Sequence, residues 1–158
     1  MKTKTIVWVV VVAVIVIGLF SLSSYLSPNR NVVTAWKKGG VECLPNGHTN
    51  LGQHIHQHIK VTIDGSDVPV AENIGVVSNC LAEIHTHEGE GALIHVETVE
   101  PNKEFKLKDF FTVWGENFDK EGFTRTVVVD QATSTNDGAD VILKDKQAIQ
   151  VIYVGLPK

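Results

Sequence analysis

The sequence predicts a β-rich α+β fold: a small antiparallel sheet domain with one short soluble helix, preceded by one N-terminal transmembrane helix. Three observations lead to this prediction. Several short segments alternate apolar and polar residues, which is the pattern of half-buried strands. Residues 105–115 instead repeat their apolar residues at helical spacing and end at a glycine. The first 26 residues are almost entirely apolar.

The N-terminal segment predicts a membrane anchor. Residues 5–26 carry no charged side chain and are long enough to cross about 30 Å of hydrocarbon as a helix. Lys2 and Lys4 favour a cytoplasmic N-terminus, so we expect a single-pass protein of the cell membrane with an extracytoplasmic remainder. The expected parts are an anchor at 1–26, a tether at 27–42 and a β-rich domain at 43–158. A cleaved signal peptide is the alternative, although its apolar core usually has only about 7–15 residues.

The charge balance limits the classes of partner. After residue 30, all 18 acidic residues stand against 11 basic ones. This balance argues against nucleic acid, because phosphate contacts need lysine and arginine. We therefore expect the membrane as a partner through the N-terminal helix, and the location also allows a membrane or exported protein as a partner.

The two cysteines, Cys43 and Cys80, predict a disulfide, because a lone pair outside the cytoplasm usually closes one. In the chain-entropy treatment, closing a loop of this size contributes ~3–4 kcal/mol. Thiolate ligation of a metal ion is the alternative.

The first strand, residues 54–63, carries histidines at alternating positions. Its apolar set is Ile55, Ile59, Val61 and Ile63, and its polar set is His54, His56, His58, Lys60 and Thr62. Gln57 is the one polar residue on the apolar face. Asp64 and Gly65 then form a sequence typical of a hairpin turn.

Further strands are expected at residues 80–87, 92–99, 124–131 and 148–155, with residues 140–145 as a pairing candidate. The soluble helix is expected to carry Leu107, Phe110, Phe111 and Trp114 on one side and to stop at Gly115. Trp36, in the tether, suits either the membrane interface or the surface of the domain.

The second histidine window predicts a hairpin that gathers imidazoles. If Gly89, Glu90 and Gly91 form a three-residue loop with Gly91 in the left-handed region, His85 lies opposite His95. His87 then lies opposite Leu93 and shares the face of the other two histidines, while the neighbouring aliphatic residues face the core. A two-residue loop would instead place His95 on the other face.

Three histidines from adjacent strands form a chelate typical of zinc sites with an open fourth position, and the same ligands suit copper(II). The first strand adds further ligands or a second site. The predicted metal ligands are His54, His56, His58, His85, His87 and His95, with copper as the first choice of metal and zinc as the second. The only methionine is Met1, which excludes a methionine-rich copper(I) site.

Two other functions fit the same residues. One is a metalloenzyme with a three-histidine site and an activated water. The other is a structural or partner-binding module that responds to pH, since clustered imidazoles titrate near neutrality. Among the nearby carboxylates, Glu83 or Glu97 suits a role in orienting an imidazole. For Glu88 and Glu90 we expect only a contribution to solubility. For His48 we expect an exposed loop position, with a role as an accessory metal ligand as the alternative.

Three stretches together resemble an uncharacterised family of short, single-anchor exported proteins in bacteria and archaea. They are "HIHQHIKVTIDG", "ENIGVVSNCLAEIHTHEGEGALIHVE" and "FKLKDFFTVWGENF", within residues 54–118. Family members usually have Asp directly after the HTH motif, where this chain has Glu88. The resemblance implies a defined fold and no particular activity. "HTHEGEG" is also similar to the cupin signature, but its Glu stands at the wrong spacing for that family.

Overall fold

The computed structural model describes residues 28–157 together with residue 12 and residues 14–16. Most of the expected membrane anchor therefore lies outside the described residues. Among those that are described, no helix is both long enough and apolar enough to span a bilayer. The helices are α1 (Pro28–Lys38) and α2 (Leu107–Trp114), with a 3-10 turn at Asn136–Gly138. The strands are β1 (Pro45–His48), β2 (Gln53–Ile63), β3 (Ser66–Val68), β4 (Val76–Val77), β5 (Cys80–Leu81), β6 (Ile84–His85), β7 (Leu93–Thr98), β8 (Phe123–Val129), β9 (Ala132–Thr133) and β10 (Ala148–Gly155).

The described residues form a β-rich α+β domain around one seven-stranded sheet. The strand order is β6-β7-β2-β10-β8-β9, and β3 pairs with the end of β2 across the expected two-residue turn at Asp64 and Gly65. Both turn residues have positive φ, as that turn requires. The sheet is mixed rather than antiparallel, because β2 and β10 run parallel. Alternation along a strand shows which face it buries, but not the direction of its neighbour, so the sequence left this pairing unspecified.

The soluble helix α2 is confirmed and packs in the core. Leu107, Phe110, Phe111 and Val113 are buried, whereas Trp114 is only partly buried. The helix begins where the Asp109 carboxylate accepts a hydrogen bond from the backbone N–H of Lys106 (2.7 Å). It ends at Gly115, whose φ of 80° matches the left-handed conformation that commonly closes helices.

Part of the expected tether is a helix that joins the domain. In α1 the last turn carries Lys37 and Lys38, which interact favourably with the carbonyl end of the helix dipole. Trp36 is buried in the hydrophobic core, so of its two expected positions it takes the one on the domain.

The disulfide between Cys43 and Cys80 is present. It holds the segment before β1 against the chain that leads into β6. Leu44 donates a backbone hydrogen bond to Leu81 (2.8 Å), and Cys43 forms an isolated antiparallel bridge with Ala82. This pairing carries β1, and the histidine at its end, to the edge of the sheet where the second histidine window lies.

One buried polar side chain in β2 is unsatisfied. Gln57 is fully buried on the core face, opposite Ile94 of β7, and neither amide atom has a hydrogen-bond partner among the described residues. An unpaired buried amide costs about 1–3 kcal/mol.

We expect Gln57→Leu to raise the free energy of unfolding by about 1–2 kcal/mol, because leucine removes that desolvation cost and keeps most of the volume. Urea denaturation of the two proteins measures the difference. Gln150→Leu, the same exchange on an exposed position of β10, is the matched control and should change stability little. A destabilised Gln57→Leu protein would mean that the amide is satisfied in solution.

Candidate metal centre

Three adjacent strands bring histidines into one row across the sheet. His95 of β7 lies directly opposite His56 of β2 on one side and His85 of β6 on the other. Residues directly opposite in antiparallel strands project to the same face, with neighbouring strands about 4.8 Å apart. The ring centroids of His95 accordingly lie 4.5 Å from His56 and 5.3 Å from His85.

The expected pairing of His85 with His95 is confirmed, but the hairpin is shorter than the sequence suggested. The β6 strand ends at His85, so the expected pair between His87 and Leu93 does not form. The connection between β6 and β7 therefore runs over residues 86–92, and the expected three-residue loop does not form. Gly91 has the expected positive φ (66°). His87 still joins the cluster, because its ring centroid lies 4.7 Å from that of His85.

Three further histidines complete the cluster or stand beside it. His54, two residues along β2, has its ring centroid 4.5 Å from that of His56. His48, at the end of β1, lies 5.1 Å from His87 and 5.5 Å from His85. His58 is exposed and belongs to none of the ligand groups described below.

The middle of the cluster is buried. His85 is 0% exposed and His95 is 6% exposed, so both faces of β6 and β7 are covered. Ile84, Ile94 and Val96 fill the core side, as expected. On the other side neighbouring imidazoles lie against these rings: His48 of β1 lies beside His85, and His56 of β2 lies beside His95.

Burial sets the protonation of the central histidines. It lowers the pKa of His85 to about 4, with a hydrogen bond to Ala82 as the main opposing influence. It also lowers the pKa of His95, against the opposing effect of a hydrogen bond to Glu90. The same contact lowers the pKa of Glu90. Both imidazoles are therefore neutral at neutral pH, the form that coordinates metal ions.

Hydrogen bonds also select the nitrogen that is free to coordinate. The Nδ1–H group of His85 donates to the carbonyl of Ala82 (2.8 Å), which leaves a lone pair on Nε2. That Nε2 lies 3.1 Å from Nε2 of His87. Two nitrogens bound to one ion at ~2.0–2.1 Å are about 2.9 Å apart at a right angle and about 3.3 Å apart in a tetrahedron. The observed separation lies between these two values.

His95 offers Nδ1 for coordination, whereas His85 offers Nε2. Its Nε2–H group donates to the Glu90 carboxylate (2.6 Å), so the lone pair is on Nδ1. Nδ1 is buried and has no hydrogen-bond partner among the described residues. Glu90, for which the sequence predicted only a contribution to solubility, thus orients a central imidazole.

Three groups in the described part of the chain place their ligand atoms within 4.8 Å of one another and could hold a metal ion. We name the first two the inner triad and the outer triad. The inner triad is His48, His85 and His87; the outer triad is His54, His56 and His95; the third group is His85, His95 and Glu97. The described structure thus brings together five of the six predicted ligands, leaves out His58, and adds His48.

Glu97 is the buried carboxylate of the cluster, with 1% of its surface exposed. Its Oε2 atom accepts a hydrogen bond from Nδ1 of His48 (2.7 Å), and its Oε1 atom lies 3.0 Å from Nε2 of His54. Its role in orienting imidazoles was one of the sequence expectations. Glu83, the other candidate, instead pairs with the Lys103 ammonium (2.6 Å), so it belongs to a separate network.

The sequence indicated His48 only as an accessory ligand, because nothing in the turn-rich segment "LPNGHTN" links it to His85 and His87, with which it forms the inner triad. The predicted Cys43–Cys80 bridge was a signal for the position of His48, since a bond between these cysteines ties the start of the domain to the strand that leads into the second window. Both cysteines are used in that bridge, so the thiolate alternative does not apply.

Comparisons with protein-family models, with curated proteins and with solved structures found no match to this chain. The resemblance to a family of single-anchor exported proteins stays a prediction.

The low pKa of His85 makes the stability of the metal-free protein depend on pH. Unfolded histidine binds a proton below pH 6.5, whereas folded His85 stays neutral down to about pH 4. The unfolded state therefore binds more protons in this window, and we expect the free energy of unfolding to fall as pH decreases from 6.5 to 4. The contribution of His85 is roughly 3 kcal/mol, and it is present in full above pH 6.5.

Urea denaturation of chelator-treated protein at several pH values measures this loss. His85→Gln should show a shallower decline between pH 6.5 and 4, while exposed His58→Gln should follow the native protein. Equal slopes for all three proteins would contradict the buried, neutral state of His85.

Proposed function

We propose that this chain is a membrane-anchored, extracytoplasmic protein that binds a transition metal ion through its histidine cluster, for metal binding, delivery or sensing. Copper is the first choice and zinc the second. The observation that carries the proposal is the 3.1 Å separation of the Nε2 atoms of His85 and His87, with His48 in the same ligand group.

The chemistry of the donor atoms supports copper or zinc. The inner and outer triads consist only of imidazoles, which suit copper(II) and zinc, whereas magnesium and calcium prefer oxygen ligands. Imidazole sites follow the general order in which copper(II) binds more tightly than zinc, which favours copper where both are present.

The orientation of the rings supports a site prepared for an ion. Metal-bound histidines commonly use their second nitrogen to contact a carboxylate or a backbone carbonyl. His85 contacts the Ala82 carbonyl, His95 contacts Glu90, and His48 contacts Glu97. Each of these contacts leaves the other ring nitrogen with a lone pair for coordination.

The proposed location rests on two independent features. A disulfide persists in oxidising compartments outside the cytoplasm, and Cys43 and Cys80 form one. Residues 5–26 have the length and composition of a membrane span. The full chain should remain with membranes after an alkaline wash; release of the domain into the soluble fraction would favour a cleaved leader.

The pH-responsive alternative is less well supported by the central residues. A switch near neutrality needs imidazoles whose pKa lies near 6–7. Burial lowers the pKa of His85 to about 4, so this ring does not change charge in that range, and burial also lowers the pKa of His95 from its ordinary value. A metalloenzyme would bind the same ion and is distinguished by turnover of a model ester or peptide.

Metal analysis of the full chain tests the proposal. The chain is purified in detergent, treated with a chelator, dialysed against equimolar Cu²⁺ and Zn²⁺, and then freed of loosely held ions. We expect retained metal at one ion per chain or more, with copper in excess. The quadruple variant H48A/H56A/H87A/H95A should retain none, and H58A should retain the native amount. Native protein that holds no more metal than the quadruple variant would overturn the proposal.

A further inference from the structure

We infer that the cluster binds two metal ions at once, one in the inner triad and one in the outer triad, with Glu97 as the carboxylate between them. This inference rests on the proposed function. It concerns the number and arrangement of ions, which the sequence pattern left open.

The two triads share no residue, so each offers a complete three-nitrogen set. Around a tetrahedral ion with nitrogens at ~2.0–2.1 Å, imidazole centroids lie about 5 Å apart. The centroids of the inner triad are 4.7, 5.1 and 5.5 Å apart. Those of the outer triad are 4.5, 4.5 and 6.0 Å apart. The inner set lies close to this spacing, and the outer set lies on either side of it.

Ring orientation separates the triads from the third ligand group. A metal lies close to the plane of each imidazole that binds it, so rings that share an ion are usually turned relative to one another. Interplanar angles are 52°, 60° and 74° in the inner triad. They are 34°, 55° and 85° in the outer triad. The rings of His85 and His95, which the third group would combine, are instead stacked at 13°. Stacked rings direct their lone pairs into separate planes, which favours one ion on each side.

The triads are immediate neighbours. The ring centroids of His87 and His95, one from each triad, are only 4.6 Å apart. Two divalent cations at such close quarters repel one another strongly in a partly buried site, so a two-ion site needs negative charge beside it.

Glu97 supplies that charge in the required place. One of its oxygens contacts His48 of the inner triad, and the other contacts His54 of the outer triad. The carboxylate is buried, and the charged partners that the structure gives it are imidazoles. Glu83, which is also buried, is compensated by the Lys103 ammonium. The burial of Glu97 is therefore explained best by cations bound through the histidines that it contacts.

Ion counting in single variants tests this inference. The full chain is saturated with Cu²⁺ or with Zn²⁺ alone, and bound metal per chain is measured after removal of excess. We expect two ions in the native protein and one ion each in His87→Ala (inner triad) and His56→Ala (outer triad). The double variant should bind none, and exposed His58→Ala should bind two.

The other outcomes have separate meanings. One ion in the native protein, retained by both single variants, would assign the site to the third group and overturn the inference while the proposed function stands. One ion that either single variant abolishes would show a single mixed site, also against the inference. No bound ion in the native protein would overturn the proposed function itself. Two ions in His56→Ala or in His87→Ala would mean that the corresponding triad is not a site.

A spectroscopic measurement tests the proximity of the ions and the part of Glu97. Two neighbouring Cu(II) ions broaden one another's electron paramagnetic resonance signal, so the native spectrum should be broader than that of either single variant. Glu97→Gln, which keeps the size and removes the charge, should hold one ion at the metal concentration that gives two in the native protein. Its circular dichroism spectrum shows whether it is folded. A folded Glu97→Gln that binds two ions with unchanged affinity would remove Glu97 from the arrangement.

Discussion

Replacing His87 with alanine is expected to weaken metal binding at the inner triad by more than about 100-fold, since altering even the residues behind metal ligands commonly costs 10–100-fold. His87 is the best position for this test because it is only partly buried and lies beyond the end of β6. Its removal therefore deletes one nitrogen 3.1 Å from the Nε2 of His85 and leaves the sheet intact. Competition with a chromophoric chelator measures the affinity.

His58→Ala is the matched control for that experiment. His58 belongs to the first histidine window, it is exposed, and it lies outside every ligand group of the described residues. We expect the metal affinity of the His58→Ala protein to equal that of the native protein. A His87→Ala protein that keeps every native metal-binding step at unchanged affinity, or a His58→Ala protein with an equal loss, would contradict the inner triad as a metal site.

Replacing Gly75 with alanine is expected to destabilise the domain by roughly 2–5 kcal/mol, combining left-handed backbone strain with overpacking. Gly75 has a φ of 78°, and a Cβ atom there would lie 2.5 Å from the carbonyl oxygen of Ile84 and 3.1 Å from Cβ of His85. Since the contact is with the backbone of β6, the strand itself must shift. We therefore also expect weaker metal binding, because the shift displaces His85.

Gly40→Ala separates the two causes. Gly40 has a similar φ of 84°, but a Cβ atom there meets nothing within 4 Å. The Gly40→Ala substitution should lower the free energy of unfolding only by the backbone strain, about 1–2 kcal/mol, and leave metal binding unchanged. Urea denaturation and chelator competition on both variants provide the comparison. Equal losses in the two variants would show that β6 is not held against Gly75 as the structure has it.

Local patterns in the sequence predicted the elements that carry the cluster. Alternation in residues 54–63 predicted β2 and its buried face, and the turn at Asp64 and Gly65 was confirmed with its register. The glycine-containing loop predicted that His85 lies opposite His95, because hairpin pairing depends on nearby residues alone. The helical spacing before Gly115 predicted α2 for the same reason.

Other features depend on contacts between distant segments. The parallel pairing of β10 with β2 gives a mixed sheet, and neither strand specifies the direction of its neighbour. The antiparallel pairing of β2 with β7 places His56 beside His95, a contact across 39 positions that the sequence allowed but did not require. Helix α1 lies in a segment whose proline and paired glycines predicted only a tether, and Trp36 anchors it in the core.

The sequence by itself determined that this chain has an alternating, histidine-bearing strand, a histidine hairpin, a disulfide and an apolar N-terminal segment, because each of these follows from neighbouring residues or from composition. Only the tertiary structure decided which imidazoles lie together in each candidate ligand group. It added His48, excluded His58, and placed the Glu97 carboxylate against one member of each triad. The physical reason is that strand periodicity sets the face of a side chain, whereas the order of strands and their burial set its neighbours, its charge and the nitrogen it leaves free.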